Sequence, residues 1–366
     1  MESLYIKNFK NLTDLSLEGL KKVNLIVGRN NVGKSSLLEA LSIYLSNGSE
    51  DSLRGVLACR GEDYATPASL DGNVDTSKMM TAQYSALFNG RNTSFTEANF
   101  FSIGEREDAL TFRFVRIGER PSADKNGKLN SDMMIYTDDA TDLPATMEYM
   151  GDGLAVFDSS KPVNVIRFTS RGMPRSVKGK CRFEYVLTRD FMLRRNVTLF
   201  DSIALSDKEQ YVLEALRIIE PDIDRLNFLN ESAFSNKRIP FVTLKSTGER
   251  LRLTSMGDGI NRVMTVILAL VNCKDGVFLL DEFETGLHYT VQQQLWQMIF
   301  RLADMLDIQV FATSHSRDCI DSFVSANNGG KGQIIRLDKR GDNVVAVNYD
   351  DENEMQFITE HGIEIR

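Results

Sequence analysis

Residues 28–36 read GRNNVGKSS, and Gly28, Gly33, Lys34 and Ser35 satisfy the pattern G-x-x-x-x-G-K-[ST]. No other stretch limits the fold so sharply, because the pattern works only in one context. Residues 23–27, VNLIV, form a short apolar run rich in β-branched residues, as a buried strand requires. In KSSLLEALSIYL, residues 34–45, the positions Leu37, Leu38, Leu41 and Leu45 recur at helical spacing, so a helix starts near Lys34. Strand, glycine-rich loop and helix together define a P-loop, and with it an α/β fold of the P-loop NTPase kind. Gly28 and Gly33 let the backbone turn tightly, so that its N–H groups, with Asn30 and Asn31 in the loop, surround phosphate. The helix N-terminus adds partial positive charge at the same place. Lys34 would reach the β- and γ-phosphates of ATP, the Ser35 hydroxyl would hold Mg2+, and Ser36 is a further phosphate-facing candidate. By average residue usage the bare pattern arises by accident in roughly one chain in a hundred of this length, and the correct flanks make accident rarer still.

The 366 residues can bury a substantial core as one large domain or two. No apolar run approaches the ~20 residues of a membrane span. The opening MESLYIKNFK has no signal-peptide core, so a cytoplasmic location is expected. Cys59, Cys181, Cys273 and Cys319 are far apart, and His288, His315 and His361 do not cluster, which argues against a zinc site or a disulfide framework. A net charge of −8 gives no indication of DNA or of a broad nucleic-acid surface. One local exception, RGMPRSVKGKCR at 171–182, reads either as a solvated loop or as a contact for phosphate, DNA or an acidic partner.

Along the chain, residues 47–75 are rich in Gly, Ser, Asp and Asn and read as irregular, followed by a short helix around 76–88. Strand candidates LTFRFVRI, DMMIY, VNVIRF and RFEYVL fill 109–187 and read as a β-rich lobe. With the helical pattern that follows, this predicts an inserted β-rich and helical lobe over 47–250 within a single head of 1–366. Ser206 with Glu209 three residues on forms a capping box before a helical pattern over 206–226, with Pro221 breaking or restarting it. Strands are expected at about 239–253, then alternating helices and strands, with a closing hairpin and helix. No heptad run is present, so long coiled-coil arms are not expected.

The second half carries the chemistry. VFLLDE, 277–282, delivers two acids at the C-terminal end of an apolar strand, where ligands sit in an open α/β sheet. Asp281 is placed to bind Mg2+, and Glu282 to orient or deprotonate the attacking water. IQVFATSHS, 308–316, is expected beside that strand, so His315 is placed to hydrogen-bond the γ-phosphate, although a lone histidine is more often structural. TSMGDGINR, 254–262, puts Ser255, Gly257 and Gly259 before an apolar helix. That is either an anion site serving another subunit's ATP or a glycine-rich turn capping a buried helix.

The order P-loop, S-x-G-x-G before a helix, strand-D-E, ETGLH and strand-S-H resembles the ABC-type ATPase heads. More closely, the chain is similar to the ATPase domain of the overcoming-lysogenisation-defect (OLD) family. The resemblance covers nearly the whole chain, through YIKNFKN at 5–11, GRNNVGKSS, 203–226, SMGDGINR, LLDEFETGLHYTVQQQLW at 279–296, ATSHS and the closing HGIEIR. It implies ATP and Mg2+ as cofactors, catalytic roles for Lys34, Glu282 and His315, and Mg2+ at Ser35 and Asp281. It also implies a homo-oligomer in which Ser255 of one protomer faces the P-loop of another. The signature departs from a full L-S-G-G-Q, and a glutamine-loop equivalent is sought near TSRG at 169–172.

OLD nucleases carry a TOPRIM domain after the ATPase, and the stretch after His315 is too short for one in addition to its strands, so no built-in nuclease is expected. The resemblance then implies an ATPase subunit acting on a separate effector protein encoded nearby, in defence against phage. The main rival is a DNA-maintenance ATPase of the RecF or SMC type. A transporter ATPase fits poorly, since a large β-rich insertion is unusual there and no membrane partner is indicated. An ATP-binding scaffold without turnover is opposed by the complete acid pair.

Overall fold

The computed structural model describes residues 1–63, 76–123, 129–141, 143–168, 177–188, 193–232 and 236–365. In chain order its elements begin with β1 (Ser3–Phe9), β2 (Leu12–Glu18), β3 (Val23–Val27), α1 (Lys34–Leu45), α2 (Glu50–Cys59) and α3 (Thr76–Ser85). Next come β4 (Phe100–Gly104), β5 (Leu110–Ala123), β6 (Leu129–Tyr136), β7 (Glu148–Asp158), β8 (Lys161–Arg167) and β9 (Phe183–Val186). Then follow α4 (Leu193–Asp201), α5 (Lys208–Ile219), β10 (Ile223–Asn230), β11 (Arg238–Leu244), β12 (Arg250–Arg252) and α6 (Asp258–Asn272). The chain closes with β13 (Val277–Leu280), α7 (Tyr289–Met305), β14 (Gln309–Thr313), α8 (Arg317–Ala326), β15 (Gly332–Arg340), β16 (Asn343–Tyr349) and α9 (Glu352–Glu360). They form two compact units that interleave along the chain, the first from 1–19, 39–180 and 339–345, the second from 20–38, 181–338 and 346–366.

The first unit is built on an antiparallel sheet of order β2-β1-β4-β5-β7-β8, with β6 also paired to β5. Its strands alternate, so one face gathers Phe101, Phe112 and Phe114 with Phe9 and Phe88 into a stacked aromatic core. Glu39 on α1 is 3 % exposed and bonds Lys10 at 2.8 Å and Arg60 at 2.9 Å, so its buried charge is paired. Residues 50–59, expected to be irregular, form α2. Ser49 caps it by accepting from Ser52 N, and Glu50 and Asp51 fill its first turn, a start signal that the surrounding polar residues obscured.

The second unit holds a sheet of order β16-β15-β3-β14-β13-β9, in which β15, β3, β14, β13 and β9 run parallel. VNLIV and VFLL are buried throughout, as strands covered on both faces must be. The strand in RFEYVL, read as part of the β-rich lobe, instead pairs with β13 in this sheet, Val186 opposite Leu280. It is a short, half-buried strand at the end of the sheet, and so few residues cannot be allotted by periodicity to one sheet or another. A core of α5, α6, α7 and α8 residues packs with it, Phe283 stacking on Trp296 at 4.1 Å. The helix expected over 206–226 ends at Ile219. Residues 223–230 are a strand, because Pro221 has no N–H to continue the helix. The expected capping box does not form: the N-cap is Asp207 without a side-chain cap bond, while Ser206 Oγ accepts from Lys208 N and Glu209 reaches back to Leu205 N in the turn before the helix. Strand β10 pairs with β11 and β11 with β12 in a small separate sheet. The hairpin and helix expected near the end are β15, β16 and α9, the helix capped by Asp351. No helix among the described residues is long and apolar enough to cross a membrane.

Candidate active site

Parallel strands β3, β13 and β14 lie side by side, so the segments leaving their C-terminal ends converge. Those segments are the P-loop, the Asp281–Glu282 pair and the Ser314–His315 turn, all within the second unit. Gly28 has φ +144, and a Cβ there would lie 2.5 Å from Leu337 O, so both the backbone conformation and the close approach demand glycine. Gly33 has φ +119 and Asn31 φ +62, which turns the loop into the start of α1. The first N–H groups of that helix have no carbonyl partner within it and face the loop.

Lys34 is 9 % exposed and donates from Nζ to Gly28 O at 2.7 Å and Arg29 O at 3.0 Å. Burial pushes its ammonium below the usual lysine range, opposed by the carboxylates of Glu284, Asp281 and Glu282. Ser35 Oγ donates to Asp281 Oδ1 at 3.1 Å. The same carboxylate accepts from Thr313 Oγ1 at 2.7 Å and from Thr188 Oγ1 at 3.2 Å, which fixes its plane. Ser36 is buried at the same helix start. A hydroxyl and a carboxylate already in contact at the phosphate loop are hard oxygen donors, and that fits Mg2+. Ser35 and Asp281 would hold it.

Glu282 sits at φ +48, a strained conformation for a residue with a Cβ. Its N–H donates to Thr313 Oγ1 at 2.8 Å, and its Oε2 accepts from Thr285 Oγ1 at 3.2 Å. Buried Arg262, 2 % exposed, reaches from α6 and donates to Leu187 O and Asp281 O at 2.8 Å each and to Glu282 O at 3.3 Å. The acid pair is thus held through its main chain by the helix that begins with the Ser255 segment. Replacing Arg262 by Ala leaves those carbonyls without their donor and is expected to cost about 2–4 kcal/mol of stability. Denaturant unfolding would read the loss, and an unchanged midpoint would contradict this role.

Ser255, Gly257 and Gly259 stand apart from the acid pair. Ser255 is exposed, its hydroxyl donating to Arg252 O at 2.6 Å within its own turn. Gly257, φ +101, is the N-cap of α6. A Cβ at Gly259 would lie 2.9 Å from Gly286 O, so glycine is needed where α6 meets the ETGLH loop. His315 is 47 % exposed at its side chain. Its backbone N–H donates to Glu284 Oε1 at 2.9 Å, and its Nδ1 lies 3.0 Å from the same oxygen. TSRG at 169–172 lies outside the described residues, as does the first half of the basic stretch, 171–176, while Lys178, Lys180 and Arg182 are described. Lys180 pairs with Asp108, so it is a satisfied surface charge.

Sequence reading overlooked Thr188, Thr313, Arg262 and Glu284. The last three lie inside motifs it singled out, ATSHS, SMGDGINR and ETGLH, but it gave them no role. Thr188 follows β9 and carries no local signal.

Residues 1–107 and 197–320, more than half of the chain, match the family described as AAA ATPase domain. An ATP/GTP phosphatase of Helicobacter pylori is 22% identical over 354 residues, spanning 88% of this chain and 86% of that protein. An uncharacterized protein of Methanocaldococcus jannaschii is 26% identical over 113 residues, 30% of this chain and 99% of that protein. Among solved structures, an SMC head bound to the C-winged helix domain of ScpA aligns with a TM-score of 0.53 at 13% identity, covering 97% of this chain and 99% of that one. This likeness bears out the mixed α/β, ABC-type P-loop fold.

Proposed function

Because the chain belongs to the AAA ATPase domain family and is an ATPase that uses ATP and Mg2+, we propose that it pairs with a second copy through composite ATP sites and controls a separate effector protein. The observation that carries the pairing is Ser255, exposed in the turn before α6 and, among the described residues, hydrogen-bonded through its hydroxyl within that turn, while the P-loop has its own lysine, serine and acids. The N-terminal end of α6 offers partial positive charge to a phosphate, and its own protomer already supplies a P-loop for that purpose. Ser255 of one protomer therefore closes over the γ-phosphate held by the other. Lys34 neutralises phosphate charge, His315 bonds the γ-phosphate, and Glu282 orients and deprotonates water. When bound, Mg2+ neutralises charge on the phosphate oxygens. Substituting Ser255 by Arg fills that contact. It is expected to block ATP-driven dimerisation while each monomer still binds ATP, and light scattering with and without ATP would read it. Undiminished dimerisation would remove the signature assignment.

The finer identity rests on the resemblance of the quoted motifs to the OLD family, which supports an ATPase subunit acting in anti-phage defence. A DNA-maintenance role is the second reading, favoured by the SMC-like fold and opposed by the net charge of −8. Affinity capture of the Glu282→Gln protein with ATP from its native host separates them. Recovery of a neighbouring gene's product in fixed ratio supports effector control. Recovery of nuclease-sensitive DNA and self-assembly alone would replace it with the DNA reading.

A further inference from the structure

ETGLH holds a third acid next to the Asp281–Glu282 pair, and its geometry is unusual. One oxygen of Glu284, Oε1, is engaged twice by the same residue, by the backbone N–H of His315 at 2.9 Å and by its ring Nδ1 at 3.0 Å. The other oxygen, Oε2, is buried and makes no hydrogen bond among the described residues. The Glu284 side chain is 11% exposed. A buried carboxylate oxygen without a donor costs stability, and such groups call for a specific explanation. Burial lowers the Lys34 ammonium, and Glu284 is the foremost of the acids that oppose that lowering. Glu284 thus engages the histidine after β14 with one oxygen and keeps the other buried.

We infer that Glu284 is a positioning residue for the ATPase reaction, holding the His315 ring by Nδ1 so that its Nε2 edge is presented to the nucleotide phosphate. A carboxylate and a phosphate oxygen both only accept hydrogen bonds, so the ring meets both as the imidazolium, with Nδ1–H toward Glu284 and Nε2–H toward the phosphate. The double engagement fixes both the main chain of the turn and the rotation of the ring. Glu282 has its own partner, Thr285, and does not hold His315. The two glutamates of DEFE therefore have separate duties: Glu282 addresses water, and Glu284 addresses the histidine. An exposed ring without this tether would sample other rotamers and lose effective contact with the phosphate.

This inference rests on the proposed role of His315, and the test is arranged to tell the two apart. Four proteins are compared: Glu284→Ala, Glu284→Gln, His315→Ala and the double variant Glu284→Ala/His315→Ala. ATP turnover and ATP affinity are measured on each. Glu284→Ala is expected to lower kcat about 10- to 100-fold while Kd for ATP stays within about twofold, as for a group acting on the transition state through another. Glu284→Gln keeps an amide oxygen to accept from both donors and is expected to recover much of the lost kcat. The double variant is expected to be no slower than His315→Ala, because the two losses are one loss. If His315→Ala turns over normally, the assignment of His315 itself falls, and the inference with it. If His315→Ala is slow while Glu284→Ala and Glu284→Gln match the wild type, or if the two losses multiply, Glu284 does not act through His315 and the inference is overturned. Thermal unfolding of Glu284→Gln, isosteric and expected to remain folded, guards against misreading a misfolded Ala variant.

Discussion

Glu282→Gln is expected to bind ATP with near wild-type affinity, to hydrolyse it about 10²- to 10⁴-fold more slowly, and to accumulate as a dimer or larger assembly in ATP. The side chain keeps its length and can still accept from Thr285 Oγ1, so the φ +48 turn and the Thr313 contact to its N–H survive. What is lost is the ability to take a proton from water. Binding therefore stays intact while the step that separates the protomers stalls. Steady-state turnover with size-exclusion chromatography in ATP would read both effects. Normal turnover would remove Glu282 from its catalytic role and leave the acid pair to Asp281 alone.

Lys34→Ala is expected to lower ATP affinity about 100-fold or more, enough to abolish binding at ordinary concentrations. The ammonium is held inside the loop by Gly28 O and Arg29 O, ready to transfer its hydrogen bonds to phosphate. Removing it also deprives those carbonyls of their donor, so the loop loses part of its preformed shape. Thermal unfolding with and without MgATP separates the two effects, because bound ligand stabilises by RT ln(1 + [L]/Kd). Wild-type protein should gain melting temperature with MgATP and Lys34→Ala should not. An equal gain in both would mean that nucleotide is held elsewhere.

The sequence made the centre of the site legible and left its supports unread, for a physical reason. Phosphate loops need glycine at positions such as Gly28, where a neighbouring carbonyl leaves no room for a Cβ, so the pattern survives in one dimension. The acids of VFLLDE and the histidine of ATSHS were legible because apolar strands in a parallel sheet deliver them at a common end. Thr188, just after β9, and Arg262 on α6 reach the same acids through contacts distant in sequence, and no local pattern specifies such partners. The placement of β9 failed likewise: a four-residue strand does not say which sheet it joins. Helix α2 was missed because its polar first turn looked like loop, although those acids belong at a helix start.

Composite ATP sites are the central claim, and a mixing experiment tests them most directly. Lys34→Ala lacks a working P-loop and Ser255→Arg lacks a working signature, so each alone should show no more than background turnover. In a mixed pair, the intact P-loop of the Ser255→Arg chain meets the intact Ser255 of the Lys34→Ala chain, and one complete site is rebuilt. ATPase activity of the equimolar mixture should then rise to about a quarter of wild type on random pairing. A mixture that stays at background, or a Ser255→Arg protein that is fully active alone, would contradict the claim that each ATP site is shared between two copies.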